Sequence, residues 1–137
     1  MAEKTFKLEI ISPTKVVFKG DVISISIPGV MGGFQVLYNH APLLAEIGIG
    51  EIKIQKPDGS EEYFATSGGY VDVVDNDVLV LAETVERPIE IDVARAENAK
   101  ERALKKLSQV RIESERDITK VELERALNRL RIAERRK

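Results

Sequence analysis

One stretch decides the fold, and residues 32–44 in it read GGFQVLYNHAPLL. A short apolar run there leads into a polar corner at residues 38–40, and Pro42 follows the corner. Proline holds φ near −65° and has no N–H, so the chain should turn at Pro42 instead of continuing as a strand. We therefore expect Leu43 and Leu44 to fill one end of a β core, while the polar corner stays at its rim.

Short apolar segments with a period of two extend outward from this corner in both directions. Phe6, Leu8 and Ile10 alternate with charged residues, which is typical of a half-buried strand. The turn sequence Pro-Asp-Gly at residues 57–59 predicts a hairpin of residues 51–56 and 61–66, and residues 75–77 predict a second hairpin of 70–74 and 78–82. Many short strands divided by turn signals indicate an antiparallel sandwich or barrel.

The period becomes helical beyond Pro88, and we predict a β domain over residues 1–87 and a helical hairpin over 88–137. Asp92 is the expected N-cap of the first helix, whose apolar stripe between residues 96 and 110 begins with three alanines. The pattern Thr119-x-x-Glu122 predicts a capping box for the second helix, after a break near residues 114–117. Alanines bury little area, so we expect this antiparallel hairpin to be folded but weakly held.

Composition and charge narrow the class of protein. The chain has 137 residues, 43% hydrophobic and 32% charged, with no Cys and only 5% aromatic residues. These values exclude disulfides and cysteine chemistry and disfavour base-stacking surfaces. Residues 1–87 carry 7 Lys/Arg against 13 Asp/Glu, a net of −6, whereas residues 88–137 carry 14 against 10, a net of +4. The basic half is a candidate for anionic partners, although acids interspersed among its cations disfavour nucleic acid.

The residues give little sign of catalysis or metal binding. His40 lies beside a proline turn without a Ser, Cys or metal-ligand spacing near it, which favours a turn or interface role over a general base. Asp72, Asp75 and Asp77 fit a hairpin turn better than a Ca²⁺ loop. We expect no catalytic residue and no metal site. The N-terminal sequence lacks the layout of a signal peptide, and no apolar run approaches a membrane span, so we expect a cytoplasmic chain.

Four arginines of the helical part form a candidate anion site. Arg95 and Arg102 are two turns apart on one helix face, and Arg125 and Arg129 are one turn apart on the second helix. If the helices pair antiparallel, these guanidinium groups would gather and repel each other unless a phosphate or carboxylates neutralised them. Spacing alone favours surface salt bridges, with Asp92 and Glu86 as internal partners, over a ligand site.

The motifs together resemble a known family. The family pattern is that of the ε subunit of bacterial rotary ATP synthases. The chain follows it in order with residues 32–44, Ser-Gly-Gly-Tyr-Val at 67–71, Val-Leu-Ala-Glu at 80–83 and Ile-Asp-x-x-Arg-Ala at 91–96. The resemblance covers the whole chain and implies a ten-stranded antiparallel β-sandwich followed by an antiparallel two-helix hairpin. It also implies a subunit without catalytic chemistry of its own.

The resemblance further implies partners. The sandwich would dock on the γ subunit and the c ring, with Met31, Gly33, Tyr38, Asn39 and His40 in the docking loops. The helices would extend towards the catalytic α/β subunits and inhibit ATP hydrolysis, in a complex peripheral to the cytoplasmic face of the bacterial plasma membrane. The chain departs from the family pattern in one stretch, where Gly33, Gln35 and Tyr38 replace the family's usual Glu, Gly and Pro.

The resemblance also implies a regulatory ligand and no required cofactor. Some bacterial members bind ATP at the folded hairpin through the motif that residues 91–96 fit in full. The matching residues here are Glu86, Ile91, Asp92, Arg95, Arg102, Arg125 and Arg129. The alternative of another class is a free-standing adenine-nucleotide sensor or helical adaptor, which would not co-purify with a γ subunit.

Overall fold

A computed structural model describes residues 4–136, which divide after Glu86 into a β unit and a helical unit. Alternating apolar residues in the first unit form eight strands in the described part of the chain. The strands are β1 Phe6–Ile11, β2 Val16–Val22, β3 Ser24–Ile27, β4 Phe34–Leu37, β5 Leu43–Gln55, β6 Glu61–Val74, β7 Asp77–Ala82 and β8 Val85–Glu86.

Hydrogen bonding joins the strands in the order β2-β1-β7-β6-β5-β3-β4, and β8 pairs with β6. Each of the two long strands, β5 and β6, contributes to both layers of the sandwich, because its two halves pair with different strands. Residues 69–74 of β6 pair with β7, whereas Ala65 and Thr66 pair with β8. Residues 53–55 of β5 pair with β3. The β unit is therefore a sandwich whose layers are connected through β5 and β6, which confirms the expected fold class.

The strand count implied by the resemblance was wrong in one respect, because eight strands are present among the described residues instead of ten. Counting the halves of β5 and β6 separately recovers ten. The two halves of β5 bury different positions. The buried residue in the first half is the odd-numbered Ile47, whereas those in the second half are the even-numbered Gly50, Ile52 and Ile54. The register of β5 with β6 stays unbroken across this change.

Glycines make the change of face possible in β6. Gly68 and Gly69 have φ of 123° and 152°, a region that side chains rarely enter. A Cβ on Gly69 would also overlap the carbonyl oxygen of Leu81 on β7. In β5, a Cβ on Gly50 would lie 2.6 Å from Cβ of Pro28, so this close approach also requires glycine.

One pairing departs from the predicted antiparallel arrangement. β1 and β7 are parallel, with Lys7 opposite Asp77 and Ile11 opposite Leu81. The chain crosses the second layer between these strands and returns in the original direction. Period-two alternation carries no information about strand direction, so the sequence could not indicate this pair.

The core of the β unit consists of large aliphatic side chains around Phe64, including Leu8, Ile10, Ile25, Ile52 and Val80. Leu43 packs partly against this core, as predicted. The expectation for Leu44 was wrong, because its side chain is 73% exposed. Both residues belong to β5, where successive side chains point to opposite faces, so only one of the two leucines can point inward.

The second unit contains a 3₁₀ turn Pro88–Glu90, helix α1 Val93–Gln109, helix α2 Glu113–Ala133 and a 3₁₀ turn Glu134–Arg136. Asp92 caps α1, since its carboxylate accepts a hydrogen bond from the Arg95 N–H at 3.1 Å, as predicted. The predicted break and capping box were wrong. Helix α2 begins at Glu113, and Thr119 lies inside it with its hydroxyl donating to the Glu115 carbonyl at 2.8 Å. A Thr-x-x-Glu pattern in mid-helix cannot be distinguished from a cap by sequence spacing alone.

Small side chains form the contact between the two antiparallel helices. Ala96 and Ala103 of α1 and Ala126 of α2 are buried, whereas the predicted stripe residue Leu127 is 46% exposed. Small side chains permit close helix packing but remove little apolar area from water. None of the helices in residues 4–136 is long and apolar enough to cross a bilayer.

Candidate functional site

Two sets of residues carry the functional predictions, and the first flanks β4. This strand lies at the end of the sheet path, so its loops are accessible. Met31 and Gly33 precede it, and Met31 is 99% exposed. Tyr38 and the two residues after it follow the strand. The predicted docking residues are therefore divided between the two ends of a four-residue strand, which spans about 10 Å at the usual rise per residue.

A pair of asparagines fixes the loop after β4. Asn39 has φ of 63° and its N–H donates to Oδ1 of Asn76 at 2.6 Å. Nδ2 of Asn76 donates in return to Oδ1 of Asn39 at 3.0 Å. Asn76 belongs to the turn between β6 and β7, where Asp75 and Asn76 both have positive φ, as in a type I′ hairpin. We name this reciprocal contact the asparagine pair, and it positions the loop on the β unit.

The remaining side chains of this loop are held locally. The His40 N–H donates to the Leu37 carbonyl at 3.2 Å, and ring atom Nδ1 lies 2.7 Å from the Ala41 carbonyl oxygen. A carbonyl only accepts hydrogen bonds, so this contact requires the proton on Nδ1. The Lys4 ammonium lies 5.4 Å from the centre of the Tyr38 ring, within cation–π range. Among the described residues, His40 is held by backbone carbonyls of its own loop.

The three aspartates weighed as calcium ligands lie along the β6–β7 hairpin. Asp72 is opposite Leu44 and Leu79 on neighbouring strands, and Asp77 begins β7. Within residues 4–136, no group of three or more His, Cys, Asp or Glu side chains is arranged to hold a metal ion.

The second set lies in the helical unit, where the two helices form a groove rich in cations. Arg102, Arg125 and Arg129 line this groove together with Lys106 and one carboxylate, Glu122. Ala99 and Ala126 complete the lining. We call this feature the arginine groove. Four cations against one carboxylate leave it strongly positive, so it favours an anion with several oxygen atoms.

Spacing favoured surface salt bridges for the predicted arginines, and for three of them the structure shows none among the described residues. In the part of the chain that the structure describes, the guanidinium groups of Arg95, Arg102 and Arg125 form neither an ion pair nor a side-chain hydrogen bond. Asp92 accepts from the backbone of Arg95 and not from its guanidinium group. Two cations of the groove, Arg102 and Arg125, therefore have no counter-ion within the part of the chain that the structure describes.

The remaining predicted ligand residues are not all in the groove. Ile91 is buried, and Asp92 and Arg95 are exposed at the start of α1. Arg95 lies about 10 Å along the helix from Arg102 at 1.5 Å per residue. Glu86 lies in β8 of the β unit. The structure thus brings together three of the four predicted arginines and leaves Arg95 about two turns from Arg102.

Sequence reasoning missed several residues of the helical unit. Lys106 follows Arg102 by one helical turn, so the same periodicity could have placed it in the groove. Arg116 was also missed: its Nη1 donates to the carbonyls of Leu107 and Val110 at 2.6 and 3.0 Å and caps the end of α1. No sequence pattern identifies such a cap, because its partners lie six and nine residues away across the link between the helices.

The two units define a class of protein: a β-sandwich with an exposed polar loop, joined in sequence to a helical pair with a cationic groove. Comparison with known families makes this specific. Residues 5–88 match the family model "ATP synthase, Delta/Epsilon chain, beta-sandwich domain", and residues 90–134 match "ATP synthase, Delta/Epsilon chain, long alpha-helix domain". The chain belongs to the ATP synthase delta/epsilon chain family, whose members are non-catalytic subunits of that enzyme complex.

Individual relatives agree with this assignment. The chain is 41% identical over 135 residues to an ATP synthase epsilon chain of Syntrophomonas wolfei, covering 98% of each chain. It is 42% identical to the epsilon chain of Caldicellulosiruptor bescii, covering 100% of this chain and 98% of the relative. A chain in the cryo-EM structure of Euglena gracilis mitochondrial ATP synthase has a similar fold, with a TM-score of 0.77, 23% identity, and coverage of 88% of this chain and 76% of that one.

Proposed function

We propose that this chain is a central-stalk subunit of a proton-translocating rotary ATP synthase, coupling rotation of the c ring to the catalytic head. The observation that carries this proposal is the family match across both units. The solved relative from Tetrahymena thermophila belongs to a central stalk and c-ring structure. A firmly packed sandwich suits a part that transmits torque, because an interior with aliphatic side chains packed closely together deforms little.

The loops on either side of β4 are the proposed contact with γ and the c ring. Met31 is fully accessible before the strand, and the asparagine pair holds the loop after it in a fixed shape. A loop that is already ordered loses less conformational entropy on binding. The test is co-purification of the tagged chain with γ and with membranes. A free-standing nucleotide sensor or adaptor would appear in the soluble fraction without γ.

We propose that the helical unit inhibits ATP hydrolysis. Its alanine contact is weak enough for the helices to separate from their compact arrangement and reach the catalytic α/β subunits, where a basic surface would meet acidic segments. Removing residues 88–137 should leave the sandwich folded and in the complex, and raise ATP hydrolysis by the assembled enzyme. If the truncated chain is incorporated normally into the complex but hydrolysis is unchanged, the inhibitory role is contradicted and the role in the central stalk is not.

The arginine groove is the proposed site for the phosphates of ATP, which would stabilise the compact helical pair. Arg102, Arg125 and Arg129 can each offer a planar pair of donors to phosphate oxygens. The motif residues Ile91, Asp92 and Arg95 at the start of α1 complete the proposed set. Bound ATP stabilises the compact state only to the extent that ATP binds this state more tightly than the open state.

Isothermal titration of ATP into the full chain, with and without magnesium, tests this site. Arg102→Ala should weaken binding about tenfold or more, since a hydrogen bond to a charged group contributes about 1.5–3 kcal/mol. Lys105→Ala is the matched control, because Lys105 is exposed on the same helix and is absent from the groove lining. Equal affinity for the wild type and the Arg102 variant would exclude the groove as the phosphate site.

A further inference from the structure

Arg136 connects the two ends of the helical unit. Its Nε donates to the Ala133 carbonyl at 3.0 Å, which closes the last turn after α2. Its Nη2 donates to the carbonyls of Pro88 at 3.0 Å and Ile91 at 2.9 Å, which lie before α1. One guanidinium group therefore bonds to three backbone carbonyls, and two of them are 45 and 48 residues away in the chain.

The opposite end of the helical unit is held in a different way. There Arg116 bonds to carbonyls only six and nine residues away, next to the link between the helices. Those bonds would persist if the far ends of the helices moved apart, because the link keeps the partners close. The two bonds of Arg136 to residues 88 and 91 would break in that movement. Of the two arginines, Arg136 is thus the one whose contacts distinguish a closed pair from an open pair.

The contribution of these bonds depends on the apolar packing around them. Near this end, Ile91 and Ile132 are buried as well as Ala96 and Ala133, and the two alanines remove little apolar surface from water. Hydrogen bonds from a charged donor are roughly twice as strong as those between neutral groups. A bond pair of that kind can shift the balance between closed and separated helices, because Ile91 and Ile132 are the two large buried apolar side chains of the helical unit among the described residues.

We propose that Arg136 is a positioning residue that clasps the end of α2 to the segment before α1 and sets the population of closed helical pairs. The same bonds fix the Ile91 carbonyl next to Asp92, the N-cap of α1. This inference concerns the chain without nucleotide, so it stands or falls separately from the proposed ATP site.

The chain contains no cysteine, so spin labels can be attached at two introduced cysteines without background. Ile89→Cys and Glu134→Cys suit this purpose, since both side chains are exposed at the clasped end. Pulsed electron paramagnetic resonance on the full, nucleotide-free chain then reports the distance distribution between them. Adding Arg136→Gln should raise the long-distance population about tenfold, the effect expected for losing a hydrogen bond to a charged donor.

Two further variants test whether the geometry of the Arg136 hydrogen bonds, and not only its positive charge, keeps the helices together. Arg136→Lys keeps the charge but lacks the planar fork, so it should open the pair nearly as much as Arg136→Gln. Arg131→Gln removes the same charge nearby, but Arg131 bonds to Asn128 within its own helix and should leave the distances unchanged. Wild-type distances in Arg136→Gln, full closure in Arg136→Lys, or equal opening in Arg131→Gln would each overturn the proposal.

Circular dichroism shows whether a variant has lost helix content. A measurement on the unmutated chain tests the proposal without depending on how any variant folds. In ¹⁵N-arginine spectra, the Nη protons of Arg136 should exchange with water at least tenfold more slowly than those of Arg111, which is exposed beside the link. Hydrogen bonding to two carbonyls protects such protons from exchange, as it does for backbone amides. Equal exchange rates at the two arginines would refute the clasp.

Discussion

The two units of this chain differ in how they remove apolar surface from water. The β unit buries Phe64 and a large set of leucine, isoleucine and valine side chains. The helical unit, over the residues described, buries four alanines, and its large buried apolar side chains are Ile91 and Ile132. Burying a large aliphatic side chain contributes about 1.5–3 kcal/mol, and a single methyl group much less. The β unit is thus held by a large apolar core, and the helical unit by a much smaller one.

Polar contacts are distributed to match this difference. In the β unit the asparagine pair fixes a loop on a scaffold that is already stable. In the helical unit, Arg116 and Arg136 bond to carbonyls at the two ends of the pair and supplement a small apolar contact. Hydrogen bonds can open and re-form without a cavity being left behind, whereas a packed core cannot separate gradually. The comparison predicts that substitutions in the two units will differ in size and in kind.

The largest effect is expected at the change of face in β6. Gly69→Ala should cost about 3 kcal/mol or more in the free energy of unfolding, because it combines a positive φ with overlap of the new Cβ and the Leu81 carbonyl. Gly59→Ala is the control: φ is 86° there, but nothing lies within 4 Å of the added Cβ. That variant should lose only about 1 kcal/mol. Urea denaturation of both variants measures the difference, and equal losses would show that overlap is unimportant.

A smaller effect is expected in the helical unit. Ala103→Leu adds bulk where Ala103 is 2% exposed between the helices, and overpacking should cost about 1–3 kcal/mol. Calorimetry should show the helical transition falling while that of the β unit keeps its temperature. Ala94→Leu makes the same replacement at an exposed position of α1 and should change stability by less than about 0.5 kcal/mol. A single transition that moves as a whole would contradict the independence of the two units.

The sequence predicts the β unit well wherever a local pattern decides the outcome. Phe6, Leu8 and Ile10 alternate because one face of β1 is buried, and the turn at residues 57–59 closes the predicted hairpin. Strand direction and the change of face depend on contacts distant in sequence, so neither could be read from alternation. The Ser-Gly-Gly sequence at residues 67–69 is visible, but its role in continuing β6 through both layers cannot be read from the sequence.

The candidate sites divide in the same way. Helical spacing predicted the gathering of Arg102, Arg125 and Arg129, since residues three or four apart share a face. Spacing could not show that Arg95 lies outside the groove, because the relative rotation of two helices is set by their packing. The contacts of Arg116, Arg136 and Asn76 involve backbone atoms or distant turns, for which a sequence has no local signal.

The next prediction concerns the asparagine pair. Asn76→Gly keeps the positive φ but removes both bonds to Asn39, and should cost the β unit about 1 kcal/mol. Hydrogen exchange at the Asn39 amide should also become faster, because its acceptor is gone. Asp75→Gly is the control in the same turn, with φ of 49°, and should leave that exchange rate unchanged. Equal exchange in Asn76→Gly and the wild type would show that the loop is ordered without the pair.

The smallest effect is expected at Asp58, in the turn between β5 and β6. The Ser60 hydroxyl and the Ser60 N–H both donate to its carboxylate, and these bonds hold the pKa of Asp58 below its usual value. A lowered folded-state pKa means that the bonded carboxylate contributes stability above the unfolded-state pKa, and the contribution is lost as the pH falls through the folded-state pKa. NMR titration of the Asp58 carboxyl carbon should show this shift, and Ser60→Ala should return the pKa towards its ordinary value by removing the first of the two donors. Because the turn is fully exposed, overall stability should barely change, and the helical unit should not respond at all. An unshifted pKa in the wild type would mean that the turn is not closed by Ser60, and a response of the helical unit would show that the two units are energetically coupled.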